Sequence, residues 1–143
     1  MATWNDVRRF ALALPHTKER FQHGSNGWAV KDKGFIWERP LRKQDLAALG
    51  AAAPKGAILA ARTADLEMKD VLLASNPDVY FTTPHFDGYP AVLIRLGRIT
   101  PSELKDVIIE AWLARAPERW AQEYLAACAA QAGSAKVRRR KRR

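Results

Sequence analysis

A histidine and an aspartate two residues apart in a short loop are the first candidates for chemistry. His85 and Asp87 belong to the segment 84–90, which reads PHFDGYP. A histidine acts as a general base when a carboxylate orients its ring, and here that requires the loop to fold back on itself. Alternatively, the aspartate and glycine form a turn that the flanking prolines stiffen, and His85 bonds backbone or water. Turn chemistry favours the second interpretation, so we assign no catalytic residue.

Other signatures of catalysis and cofactor binding are absent from the sequence. It contains no G-x-S-x-G elbow, no phosphate-binding G-x-x-x-x-G-K-[ST] and no G-x-G-x-x-G. The histidines at 16, 23 and 85 are too far apart to form a local metal motif. Cys128 follows Trp120 at helical spacing, which favours a buried structural thiol over a nucleophile. We therefore predict a non-enzymatic protein without a metal or cofactor.

Aromatic residues lie among basic ones in the segment 28–43, which is the composition of a nucleic-acid-binding surface. Phe35 and Trp37 alternate with Ile36 and Glu38, so they are predicted to share one face of a strand, and Trp28 lies in the same hairpin. Such a face is either part of the core or a platform for bases, and core burial is the commoner use of large aromatics.

Net charge separates a nearly neutral body from a basic tail. The chain has 143 residues, with 24 Lys and Arg, 15 Asp and Glu, and a formal net charge of +9. Seven of the basic residues and no acid lie in 133–143, so residues 1–132 carry only +2. We predict a domain over 1–132 and a basic, disordered tail over 133–143 that contacts phosphates non-specifically. The predicted nucleic-acid-binding residues are Lys31, Lys33, Arg39, Arg42, Lys43, Lys136, Arg138, Arg139, Arg140, Lys141, Arg142 and Arg143.

Composition also predicts the compartment. A single cysteine excludes an intramolecular disulfide framework and is typical of a reducing environment. No apolar run approaches the roughly 18 residues of a membrane span, and the first ten residues lack the apolar stretch of a secretory signal. We therefore expect a cytoplasmic protein that does not insert into a membrane.

Capping signals and apolar spacing predict the helices that position these residues. Thr3 and Asp6 form a capping box for a first helix that Pro15 ends, and a short helix covers 43–49. A third helix begins at Thr63 or Asp65 and runs through Ala74. Its predicted apolar side is Leu66, Met68, Val71 and Leu72.

The strongest helix signal follows Thr100, where the sequence TPSE supplies a cap, a first-turn proline and a glutamate that reaches back. Pro117 then either kinks this helix or opens another, which Gly133 is predicted to end. The apolar stripe of the helix after Thr100 is Leu104, Val107, Ile108, Ala111 and Trp112.

Short runs of strand-forming residues predict strands at 20–23, 28–31, 34–38, 57–61, 79–83 and 91–96. Turns at 24–27 and 32–34 join the first three into an antiparallel meander. A hairpin followed by a helix occurs twice, once in 28–49 and once in 79–112. The prediction is a single two-layer α+β domain, an antiparallel sheet with helices packed on it.

Several segments together resemble the MmcQ/YjbR family. They are FIWERPL at 35–41, NPDVYFTTPHFDGYPAV at 76–92, EAW at 110–112 and AP at 116–117, together with LALP at 12–15. The resemblance covers about residues 4–125 and leaves the tail outside. It implies a compact α+β domain with a double-wing arrangement of its hairpins and helices, and a DNA-binding role, but it transfers no catalytic or DNA-contacting residue.

Three function classes are therefore carried forward. A DNA-binding protein comes first, with DNA favoured over RNA as the partner. The alternative is a protein-interaction or small-ligand-binding module that uses an apolar groove. An enzyme comes last, since it would require titratable groups to converge in a cleft.

Overall fold

A six-stranded antiparallel sheet forms the centre of this computed structural model, which describes residues 2–22, 24–52 and 56–141. The spatial order of the strands is β1-β2-β3-β4-β6-β5, and every neighbouring pair is antiparallel. The strands are β1 (Thr17–Gln22), β2 (Ser25–Val30), β3 (Lys33–Glu38), β4 (Ile58–Arg62), β5 (Tyr80–Phe81) and β6 (Ala91–Arg95).

Five helices complete the fold, and the α+β prediction is confirmed. They are α1 (Trp4–Leu12), α2 (Lys43–Leu49), α3 (Leu66–Ser75), α4 (Pro101–Arg115) and α5 (Glu118–Lys141). The Thr3–Asp6 capping box is present at α1, and the Thr100 side chain accepts from the backbone N–H of Glu103 at α4. Pro117 opens α5 rather than kinking α4, because Ala116 before it is extended, as a residue before proline prefers.

One face of the sheet packs against α1 and α4 to form the larger core. The predicted stripe of α4 is confirmed: Leu104, Ile108 and Trp112 are fully buried. The Trp112 indole N–H donates to the carbonyl of Pro15 at 3.1 Å, and the Tyr80 hydroxyl donates to Glu103 at 2.8 Å. These two bonds tie α4 to both ends of the sheet.

The opposite face of the sheet is covered only in part. Side chains of β4 and β6 pack there against Phe86, Leu41 and Leu49, which belong to the loop 84–90 and to the region of α2. The part of this face formed by β2 and β3 has no helix over it among the described residues. It is therefore the region of the sheet that is open to a ligand.

A β-bulge overturns the prediction that Phe35 and Trp37 share one face. Trp28 pairs with Ile36, whereas the next residue of β2 pairs with Gly34, so Phe35 is an extra residue in β3. Phe35 and Ile36 consequently both join the core beneath α4, and Trp37 lies on the opposite face. One inserted residue reverses the alternation of side chains along a strand. Trp28 and Phe35 are buried, so they form no platform for bases.

The two tight hairpin turns also lie one or two residues from their predicted positions. The β2–β3 turn is Lys31-Asp32, and both residues have positive φ, of 47° and 63°. This is the turn geometry that matches the twist of a two-residue hairpin. Ser25 pairs with Gln22, so the segment predicted as the first turn belongs largely to β2.

The buried side of α3 differs from its predicted apolar side. Leu66, Met68 and Val71 are each more than two-fifths exposed, whereas Lys69 is 5% exposed. Only Leu72 of the predicted set packs against the core, together with Leu73. The side of a helix that is buried depends on its neighbours, and the neighbour of α3 is a loop that offers carbonyl oxygens.

Helix α5 is longer than predicted. It continues past Gly133 to Lys141, so the predicted helix end at Gly133 is wrong, whereas the disorder of the tail in solution stays a prediction. Alanine, arginine and lysine are among the best helix formers, and one glycine among them costs only about 1 kcal/mol. Trp120 and Tyr124 pack on the core. Cys128, one turn further along α5, is exposed, so the prediction of a buried thiol is wrong.

No helix in the described part of the chain is both long enough and apolar enough to cross a membrane.

Candidate ligand-binding groove

A groove of about 750 Å³ lies on the open part of the sheet, between the β2–β3 hairpin and the loop 84–90. Its floor includes Gly27 and Gly34, small residues that leave room above the strands. Trp37 borders it on the sheet side, and Phe86 and Tyr89 border it on the loop side. The volume lies within the range of about 300–1,000 Å³ that is usual for small-molecule sites.

The loop wall is held by a buried lysine. The Lys69 ammonium donates to the carbonyl of Phe86 at 2.6 Å and to the carbonyl of Tyr89 at 2.9 Å. Burial lowers the pKa of Lys69, and the charges of Asp87 and Asp70 offset only part of this effect. Both carbonyls also accept a backbone N–H, from Tyr89 and Ala91 respectively, so Lys69 adds a second donor to each and links the loop to α3.

A buried ion pair supports the other side of the loop. The Arg39 guanidinium lies 3.1 Å from Asp45, and both side chains are less than a tenth exposed. It also lies over the ring of Phe86, with 5.3 Å from its central carbon to the ring centroid. Burial raises the pKa of Asp45, but bonds from the Arg42 backbone N–H and from Arg39 outweigh this and hold the pKa below its usual value.

The remaining charges around the groove are partly paired. Arg20 lies 3.3 Å from Asp32 of the hairpin turn, and Glu38 accepts from the backbone N–H of Asn26 at 2.9 Å. Among the described residues, the Arg42 guanidinium forms no hydrogen bond or ion pair, and Arg42 is exposed. Arg42 is therefore the cation at the groove that is available to a ligand.

His85 and Asp87 do not form a catalytic pair in the described structure. Their loop begins with a 3₁₀ turn in which the Asp87 backbone N–H donates to the carbonyl of Pro84 at 3.1 Å. No hydrogen bond between the two side chains is present in this segment. The His85 ring instead meets the Phe86 ring edge-on at 5.1 Å.

Comparison with known proteins identifies the family of this chain. A family model described as YjbR matches residues 12–114. The chain belongs to the YjbR family. The matched region contains the whole sheet, the loop 84–90 and nearly all of α4, whereas α5 and the basic tail lie beyond it.

Relatives of this YjbR protein carry no functional description. The uncharacterized protein Rv2570 of Mycobacterium tuberculosis is 50% identical over 129 residues, which are 88% of this chain and 98% of the relative. The uncharacterized protein Mb2600 of Mycobacterium bovis is equally similar. A crystal structure of Deinococcus radiodurans protein DR2400, with a DUF419 domain, matches with a TM-score of 0.60 at 18% identity. That match covers 79% of this chain and 78% of the other, and it shows a shared fold.

The predicted cations of this YjbR protein do not form one patch. Lys31 and Lys33 are exposed at the β2–β3 turn, whereas Arg42 and Lys43 are exposed at the start of α2. β3 lies between these pairs along the chain, with Lys33 at its start and Arg42 four residues past its end. Arg39 is buried and paired with Asp45, so its guanidinium is not free for a phosphate.

The predicted tail residues can be placed only in part. The helix contains 136–141, but their side chains lie outside what the structure describes, as do Arg142 and Arg143 entirely.

Sequence reasoning missed the two groups that support the groove, Lys69 and Asp45. A signal existed for Lys69, because it precedes Leu72 by three residues and Leu73 by four and so lies on their side of α3. No local signal existed for the pairing of Asp45 with Arg39, since it depends on how the chain turns after β3.

Proposed function

We propose that this YjbR protein is a non-enzymatic DNA-binding protein whose groove holds an unstacked base of a single strand. The groove supports this, because aromatic side chains and an available arginine border one open cavity of nucleotide size. Proteins that bind single strands combine stacking rings with cations that follow the backbone. Tyr89 is 41% exposed and lines the groove, and Trp37 lines the opposite side.

Phosphate contacts are assigned to cations at the groove and in the tail. Arg42 borders the groove, and Lys43 follows it at the start of α2. The tail adds affinity without sequence preference, because flexible or helical cations neutralise phosphates but read no bases. This division agrees with a body that is nearly neutral without the tail.

The groove is tested with short single-stranded and duplex DNA in a fluorescence anisotropy titration at low salt. Tyr89→Ala is expected to weaken single-strand binding about 5- to 150-fold, since stacking one base is worth about 1–3 kcal/mol. Phe21→Ala is the matched control, because Phe21 is 72% exposed and does not line the groove. Equal affinities of wild type and Tyr89→Ala for the single strand would refute the binding of a base in the groove.

The tail is tested by the salt dependence of the same binding. If about four to six tail cations contact duplex phosphates, the tail contributes about −3.6 to −5.4 to the slope of log affinity against log salt. Deleting residues 136–143 should remove most of this slope, and Arg42→Ala should reduce what remains by about 1. Undiminished affinity and slope after truncation would assign binding to the domain alone, with Lys31, Lys33, Arg42 and Lys43 as its cations.

A second candidate function is a small-ligand-binding module. Two carboxylates, Glu38 and Asp87, also line the groove, and they repel phosphates. This favours a compact ligand that carries an amine or amide beside an apolar ring. Native mass spectrometry of the purified protein tests it: a retained small molecule that is lost in Tyr89→Ala, without DNA binding at low salt, would favour this candidate.

A further inference from the structure

Two arginines near Tyr89 have no carboxylate partner among the described residues. Arg62 is the last residue of β4, and Arg115 is the last residue of α4. The Nε atoms of both side chains are buried and have no hydrogen-bond partner. In the part of the chain that the structure describes, neither guanidinium takes part in an ion pair.

Tyr89 lies between this pair and the groove. The central carbon of the Arg62 guanidinium lies 4.7 Å from the Tyr89 ring centroid, so the ring supports the cation from one side. Neither arginine lines the groove itself, whereas Tyr89 does. The two arginines are therefore distinct from the residues that line the groove.

The positive charges of Arg62 and Arg115 repel each other when no anion is bound near them. Burial lowers the pKa of Arg115, the nearby charge of Arg62 lowers it further, and Tyr89 raises it. The carbonyl end of α4 offsets only part of the charge, since a helix terminus carries about half an elementary charge. A guanidinium with unused donors can recognise an oxyanion through two parallel hydrogen bonds, and a second guanidinium nearby adds further charge-assisted bonds.

We propose that Arg62 and Arg115 form a binding site for a phosphate group. The anion neutralises the two charges and accepts from the guanidinium N–H groups, with Tyr89 holding Arg62 in position. The phosphate belongs either to a small phosphorylated molecule or to a nucleic-acid backbone, because the recognition chemistry is the same for both. The site goes beyond the proposed function, since it requires no base in the groove.

The test is a titration of the full chain with millimolar inorganic phosphate at constant ionic strength, followed by ³¹P NMR and by thermal unfolding. Wild type is expected to show saturable binding and a rise in Tm. Arg62→Gln and Arg115→Gln should each weaken phosphate binding about tenfold or more, since each removes charge-assisted hydrogen bonds. Arg98→Gln is the matched control, because Arg98 is exposed and lies on the turn after β6.

Stability in chloride separates loss of binding from loss of folding. Arg115→Gln should unfold at the same temperature as wild type or higher without phosphate, because it removes one of two repelling charges. No saturable binding by wild type, or an equal loss in Arg98→Gln, would overturn the site. So would undiminished binding in both Arg62→Gln and Arg115→Gln.

Competition identifies the source of the phosphate. A short single-stranded oligonucleotide that displaces inorganic phosphate in wild type, and binds more weakly to Arg115→Gln, supports the site with a nucleic-acid backbone as its ligand. Phosphate binding that the oligonucleotide leaves unchanged supports the site with a small phosphorylated molecule as its ligand.

Discussion

Replacing Lys69 with methionine tests whether this buried lysine holds the loop wall of the groove. The substitution removes two charge-assisted hydrogen bonds, to the carbonyls of Phe86 and Tyr89, and keeps a side chain of similar length. Each such bond contributes about 1.5–3 kcal/mol to the free energy of unfolding. Removing the buried ammonium also removes the cost of burying its charge, which offsets part of the loss. We expect Lys69→Met to lower the free energy of unfolding by about 2–4 kcal/mol.

Urea unfolding and hydrogen exchange together measure this effect. The loop amides of Phe86, Asp87 and Tyr89 form local hydrogen bonds, and their exchange should accelerate in Lys69→Met. Lys105→Met is the control, since Lys105 is exposed on α4 and its replacement should change stability by less than about 0.5 kcal/mol. Unchanged stability together with unchanged loop exchange would refute the assigned role of Lys69.

The pH dependence of the difference in unfolding free energy between wild type and Lys69→Met is an independent test of the role of Lys69. Burial holds the pKa of Lys69 below its ordinary value of 10.5 in the folded state. Between the folded and unfolded pKa values the unfolded state binds more protons, so stability from this group rises with pH. The stability of wild type relative to Lys69→Met should therefore increase as pH rises toward 10.5. A difference that falls over this range would contradict the assignment.

Three further changes test the ion pair, the core and the absence of catalysis. Asp45→Asn leaves Arg39 buried without its partner and should cost about 3–5 kcal/mol in urea unfolding. Because the folded-state pKa of Asp45 is lowered, its contribution is present above pH 3.8 and should be lost as the pH falls through the folded-state pKa. Ile108→Ala should cost about 2–5 kcal/mol, and an unchanged urea midpoint and slope would contradict its burial. No esterase, phosphoesterase or nucleotidase turnover should depend on His85, so activity that disappears in folded His85→Ala would overturn the non-enzymatic proposal.

Local signals predicted most of the helices and strands of the fold. The caps at Thr3, Asp65 and Thr100 each accept a backbone N–H as their sequences indicate, since a cap involves residues only three apart. The stripe of α4 was predicted correctly, because its spacing alone specifies one buried side. The strand before the loop was predicted too long: β5 ends at Phe81, and a 3₁₀ turn begins at Pro84.

The residues that shape the groove depended on contacts between distant segments. Phe35 and Trp37 lie on opposite faces because β2 pairs with β3 through a bulge, and strand register is a property of two strands. Lys69 is buried because carbonyls 17 and 20 residues away accept from it.

The sequence by itself determined where the capped helices α1 and α4 begin, which residues of α4 are buried, and that the charge is concentrated in the tail. The tertiary structure alone decided which cations are exposed: it buried Arg39 against Asp45 and left the Nε atoms of Arg62 and Arg115 buried without a partner. Helix and strand signals involve residues only a few positions apart, so they can be recognised in the sequence without the tertiary structure. Burying a charge costs less beside a partner of opposite charge, and for Arg39 that partner, Asp45, is set when the elements pack.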